Sequence, residues 1–192
     1  MKLFRPVFSV ISSRFMSILG VIFTSLWLLA GQDSVAQTVT FNGYQTTVTT
    51  GLSNPLGVAV DGAGNVYIAD SFNNRVVKVP WNSSTSSYGT PTTVPTTGLL
   101  DPGDVAVDGV GDVYIADTSN NRVVEVPWNS STSSYGAQTT VSTSGLNEPF
   151  YIAVDGASNV YIADYDNNRV VKVPWNSSTS SYGKKRRCLR PD

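Results

Sequence analysis

The chain has 192 residues, with 13 Lys and Arg against 14 Asp and Glu, one cysteine and no histidine. A lone Cys188 excludes an internal disulfide, and the lack of histidine removes the commonest general base and the commonest metal ligand together. Charge is uneven: between residues 37 and 183 five basic residues face 12 acidic ones, net −7, which disfavours nucleic acid as a partner because its phosphates need Lys and Arg.

At the start, Lys2, Arg5 and Arg14 precede an apolar run from Phe15 to Ala30, and Ser34-Val35-Ala36 offers a small-x-small end before Gln37. These are the three parts of a secretory signal peptide, read here as residues 1–36. The run of 16 residues spans about 24 Å as a helix at about 1.5 Å per residue, short of a bilayer core of about 30 Å. No stable membrane span is expected after cleavage. A secreted or periplasmic location follows, with tethering by an uncleaved N-terminal segment as the alternative. Leu28-Leu29-Ala30-Gly31 is followed by Gln32 rather than Cys, so lipid cannot be attached there.

The body is a repeat. Val58-Ala59-Val60-Asp61 recurs as Val105-Ala106-Val107-Asp108 and as Ile152-Ala153-Val154-Asp155. Tyr67-Ile68-Ala69-Asp70, Asn73-Asn74-Arg75-Val76-Val77 and Trp81 return with the same offset of 47 residues. The modules run 51–97, 98–144 and 145–183, after a segment at 37–50 that reads as an outer strand. In it, Gln45-Thr46-Thr47-Val48 matches Gln138-Thr139-Thr140-Val141. A basic tail, 184–192, matches nothing upstream and reads as solvated and disordered.

Each module predicts four short strands. Val58-Ala59-Val60 is apolar on both faces, as in a strand buried on both sides. Asp61-Gly62-Ala63-Gly64 has turn chemistry, and Val66 to Ala69 suits a pleated surface. Asn73-Asn74 can supply a left-handed residue for a tight connection. Val76 to Trp81 follows, with Lys78 and Pro80 suggesting an outer position. A hairpin through Asn82–Ser87 would then bring Trp81 and Tyr88 together, and Thr92-Thr93-Val94 is the fourth strand.

Four strands per unit of about 40–50 residues describe a β-propeller blade. The string Pro55-Leu56-Gly57-Val58-Ala59-Val60-Asp61, Gly64-Asn65-Val66-Tyr67-Ile68-Ala69-Asp70, Asn73-Asn74-Arg75-Val76 resembles the NHL repeat. One departure is the Asn at 74, 121 and 168, where the family often carries His. The resemblance implies an all-β, propeller-type fold and a non-catalytic binding or interaction scaffold, since NHL domains are six-bladed platforms. Three four-stranded NHL-like repeats make a partial propeller or half of a six-bladed ring, and a homodimer would complete six. A truncated or degenerate fragment of a longer propeller, with little activity, is the alternative.

For chemistry, the repeated carboxylates Asp61, Asp108, Asp155 and Asp70, Asp117, Asp164 suit turn capping and pairing with Arg75, Arg122 and Arg169 better than calcium. Their spacing lacks the dense alternation of a calcium loop. No metal or cofactor is implied. Metal-dependent lyases and lactonases on related propellers use His around the central channel, so that carry-over fails at every position and catalytic residues are not expected. Variation between modules falls instead in two loops, before the first strand and between the second and third. Their candidate binding residues are Asn54, Leu56, Phe72, Asp101, Ser119, Glu148, Phe150, Tyr165 and Asp166, for a protein or carbohydrate ligand.

Ser34 and Ala36 are the small residues a signal peptidase needs, so N-terminal sequencing of exported protein should begin at Gln37. An intact Met1 in a membrane fraction is the contrary result.

Overall fold

A computed structural model describes residues 45–141 and 143–182; the predicted leader at 1–36 and basic tail at 184–192 lie outside them, as does most of the segment 37–50. Among the described residues no helix is long and apolar enough to cross a membrane. The described residues belong to one compact unit, almost entirely strand and turn.

The first blade comprises β1 (Pro55–Val60), β2 (Val66–Asp70), β3 (Arg75–Val79), a two-strand ribbon of β4 (Trp81–Asn82) and β5 (Ser87–Tyr88), and β6 (Thr92–Thr93). Its sheet order is β1-β2-β3-β6, all antiparallel. The second blade repeats this with β7 (Pro102–Val107), β8 (Val113–Asp117), β9 (Arg122–Val126), the ribbon β10 (Trp128–Asn129) and β11 (Ser134–Tyr135), and β12 (Thr139–Thr140). The third has β13 (Pro149–Val154), β14 (Val160–Asp164), β15 (Arg169–Val173) and the ribbon β16 (Trp175–Asn176) and β17 (Ser181–Tyr182). Its sheet holds three strands among the described residues.

Local chemistry explains the punctuation. Asn74, Asn121 and Asn168 take φ of 51°, 54° and 50° at the end of one-turn 3-10 helices, a left-handed conformation that Asn tolerates better than most residues. The predicted third strand stops at Val79, because Pro80 has no N–H to continue the ladder. Trp81 belongs to the ribbon instead, opposite Tyr88, with ring centroids 4.9 Å apart and edge to face. The Asn82 side chain accepts the Ser84 and Thr85 N–H groups and so shapes the ribbon's turn.

Blades pack face to face. Ala59, Tyr67 and Val76 on one side of the first blade meet Val105, Val113, Ile115, Val124 and Val126 of the second, with Val94 and Leu99 of the connecting segment filling the seam. The same arrangement joins the second blade to the third around Tyr114, Val123, Val141, Ile152, Val160 and Ile162. The other face of the first blade is covered only in part, by Val48, Leu52 and Tyr88 against Val66, Ile68, Val77 and Val79.

Two expectations need correction here. The first strand is buried on both faces only where blades flank it: Val58 and Val60 are 58% and 60% exposed, because among the described residues no blade lies on that side. The third strand, read as an outer one, has β6 or β12 beyond it in the first two blades, and Lys78 does not mark an edge. It reaches into the seam, its Nζ 4.8 Å from the Trp128 ring centroid.

Val105→Asp would set a carboxylate among Tyr67, Ile115 and Val124, and the loss should be several kcal/mol. Val110→Asp, on an exposed turn, should change stability by less than about 0.5 kcal/mol. Thermal melting of the two variants separates these outcomes.

Candidate functional site

The loop end of each blade is organised by a carboxylate. Asp70, fully buried at the end of β2, accepts the Ser53 N–H at 2.6 Å on Oδ1, and Asn73 Nδ2 at 2.9 Å and Arg75 Nε at 2.6 Å on Oδ2. Arg75 in turn donates to the Gly51 carbonyl at 3.2 Å. Asp117 gathers Leu100 N–H, Asn120 and Arg122, and Asp164 gathers Asn147 N–H, Asn167 and Arg169. One side chain therefore binds the loop before the first strand to the turn after the second. Backbone bonds add to this, from Phe72 N–H to Ser53 O, Ser119 N–H to Leu100 O and Tyr165 N–H to Glu148 O.

Neighbouring blades share the lattice. The Asn74 side chain accepts the Asp101 N–H at 2.8 Å, and the Asn121 side chain accepts the Glu148 N–H at 2.7 Å. Asn54, Asp101 and Glu148 all have positive φ, 50°, 47° and 48°, where a residue other than glycine is held only by firm surroundings.

Eight of the nine predicted residues are exposed on this end, and Phe150 is half-buried. Phe72 and Tyr165 stand at the 3-10 turns, 68% and 63% exposed. Ser119 donates to Asp101 at 3.1 Å. Phe150 packs on Tyr151 and Tyr165, with centroids 4.8 Å and 6.3 Å away. The face is therefore aromatic at the third blade, polar at the second and marked by Phe72 at the first. Tyr151, also exposed, was missed in the sequence: it stands just before the repeated apolar run, where the other modules carry Gly57 and Asp104, beside a β-bulge that all three blades share.

The opposite end was also missed. There Asp61 accepts N–H groups from Ala63 and Asn65, the Asn65 side-chain amide and the Tyr67 hydroxyl. Beside it, a cavity of about 460 Å³ between the first two blades is lined by Asp61, Tyr67, Lys78, Asp108 and Trp128. Between the second and third blades Glu125 stands in place of Lys78 and Asp112 in place of Asn65, lining about 410 Å³ with Trp175 and Tyr182. Among the described residues no three His, Cys, Asp or Glu side chains gather as a metal site.

These surroundings split the carboxylates into two sets. Burial raises Asp70 and Asp164, but the N–H, amide and guanidinium donors outweigh it and leave both below the ordinary value. Hydrogen bonds from Asn159 hold Asp155 down to about 2. Asp104, Asp112 and Glu125 are raised, chiefly by burial, and nearby carboxylates add to the effect at Asp112 and Glu125. Burial also lifts the Tyr67 and Tyr114 phenols far above their usual range, and Tyr182 to about 12.

Residues 52–79 and 99–125 match the family model described as the NHL repeat. The fold is one of β-propeller blades, and two of its repeats match the NHL repeat. A search of curated proteins finds no match. Among solved structures it resembles a streptogramin B lyase, with TM-score 0.53, 15% identity, and coverage of 73% of this chain and 43% of that one. It also resembles an auxiliary nutrient binding protein from Bacteroides ovatus, with TM-score 0.51, 20% identity and coverage of 67% and 38%. A third is hydrazine synthase from Kuenenia stuttgartiensis, with TM-score 0.50, 16% identity and coverage of 74% and 38%. The chain spans about two fifths of the length of these structures. At such identities the likeness is one of fold.

The two carboxylate sets act on stability with opposite signs. Asp70, Asp155 and Asp164, lowered in the folded state, contribute stability above the ordinary 3.8 that is lost as pH falls through their lower folded values. Asp104, Asp112 and Glu125, raised, contribute stability below the ordinary 3.8 and 4.5 that is lost as pH rises through their folded values. The melting temperature should therefore peak in mildly acid solution. Glu125→Gln should raise it at pH 7 and leave it near wild type at about pH 4. Calorimetric scans across pH check both limbs.

Proposed function

We propose that this chain is an exported, non-catalytic binding module that meets a protein or carbohydrate ligand with its loop end. The observation that carries the reading is where the modules differ. The strands, the Asp–Arg ties and the Trp–Tyr ribbons repeat closely, whereas Phe72, Ser119 and Asp166 occupy one position of the turn with three chemistries, and Ser71, Thr118 and Tyr165 the position before it. Exposed aromatics on a rigid, hydrogen-bonded frame add contact area with little ordering cost, which is what a recognition surface needs. A sequence with no histidine supports a binding role over a hydrolytic one. The leader supports export.

Probing glycan and peptide arrays with the full chain, beside Phe72→Ala and Tyr165→Ala, tests this reading. Both side chains are exposed, so melting should hold while binding to the recognised class falls about tenfold or more, the effect of losing an anchor worth at least about 1.4 kcal/mol. Binding that survives both substitutions counts against the loop end.

A further inference from the structure

The junction between the first and second blades is made by two faces of fixed composition. The first blade contributes Ala59, Tyr67, Val76 and Lys78, and the second Val105, Val107, Val113, Ile115, Val124, Val126, Trp128 and Tyr135. Tyr135 donates its hydroxyl to Tyr67 at 3.1 Å, and Lys78 lies over the Trp128 ring. The Asn74 side chain takes the Asp101 N–H. Val94, buried in the seam, donates its N–H to the Val76 carbonyl at 2.9 Å beside the Thr92–Thr93 ladder on β3.

Both halves of this junction occur again, open, at the ends of the described array. The third blade carries Ala153, Tyr161, Val170, Lys172 and Asn168, identical to the first blade's contribution. Val170 is 73% exposed, whereas Val76 and Val123 are fully buried. Lys172 sits over Tyr161 at 5.1 Å, without a tryptophan of a following blade among the described residues. β15 likewise has no fourth strand there. At the other end the first blade presents Val58, Val60, Val66, Ile68, Val77, Val79, Trp81 and Tyr88, residue for residue the second blade's contribution. Val48 and Leu52 already rest on it as Val94 and Leu99 rest on the second blade.

We propose that the open face of the first blade, with segment 45–48, seats on the third blade of a second copy of this chain and repeats the first-to-second junction, the segment pairing there as a strand. Tyr88 then donates to the partner copy's Tyr161, and the Asn54 N–H enters its Asn168 side chain. Thr46 and Thr47 pair beside its Lys172 and Val171, in the register that Thr139 and Thr140 keep with Glu125 and Val124. Lys172 gains Trp81. The second copy is the occupant these faces specify, because each open half is the complement of the other half of the same sequence. Two copies joined at both ends close six blades, with the loop ends on one side. The assembly does not depend on which ligand the loop end takes.

Sedimentation or light scattering of the full chain, as its host processes it, should give twice the single-chain mass. Val58→Glu and Val60→Glu alter side chains that the single chain leaves exposed, so circular dichroism should hold while the mass halves. Lys172→Glu, on the opposite face and also exposed, should halve it too and serves where the valine variants do not fold. A monomer at high protein concentration, or a mass that these substitutions leave unchanged, overturns the proposal.

Discussion

Each blade depends on one buried carboxylate. Asp70, Asp117 and Asp164 are charged groups placed where water cannot reach them, a position that costs several kcal/mol unless every lone pair is used. Here both oxygens of each accept donors: a backbone N–H from one loop, a side-chain amide from the next and an arginine at 2.6 Å. Removing any donor leaves a buried charge short of partners, so the loops are held to each other by the cost of separating them. The direction of the chain through the blade follows. The first strand must leave from beside the end of the second, and the third must begin where the arginine can reach.

Above this level the molecule is nearly one-dimensional. A blade touches the blade before and the blade after, and little else, so stability accumulates along the array through its seams. The second blade has both seams and buries β7 and β8 almost completely, whereas β1 alternates between exposed and half-buried positions. The two seams differ in charge. Lys78 faces aromatic rings at the first, while Glu125 and Asp112 stand in the second with raised proton affinity. A single repeat thus yields one junction that welcomes a cation and one that prefers its acids neutral.

Much of this could be read from residue order. The offset of 47 gave the blades, Asn73-Asn74 the left-handed turn, Trp81 and Tyr88 the ribbon, and the Asp–Arg spacing the ties. What stayed hidden was whatever depends on neighbours. Exposure of Val58 is a property of the missing seam, and a Val-Ala-Val run is the same string with or without it. Lys78 suggested an outer strand, but its head meets a tryptophan 50 positions away. For the loop end, position was legible and occupancy was not: the variable residues could be named, while the link from Asn74 to Asp101 joins separate modules and leaves no local mark.

Asn54, Asp101 and Glu148 show what that link permits. At all three the backbone bends to positive φ, and at Asp101 and Glu148 the main-chain N–H makes the bond to the preceding blade, so that bond does not need the side chain. The same holds at Phe72, Ser119 and Tyr165, which are secured by their main-chain N–H groups. The fold thus treats these places as sockets: what is plugged in can be exchanged one module at a time, without renegotiating the scaffold beneath. A lineage of such chains could change its recognition surface quickly while its blades stood still.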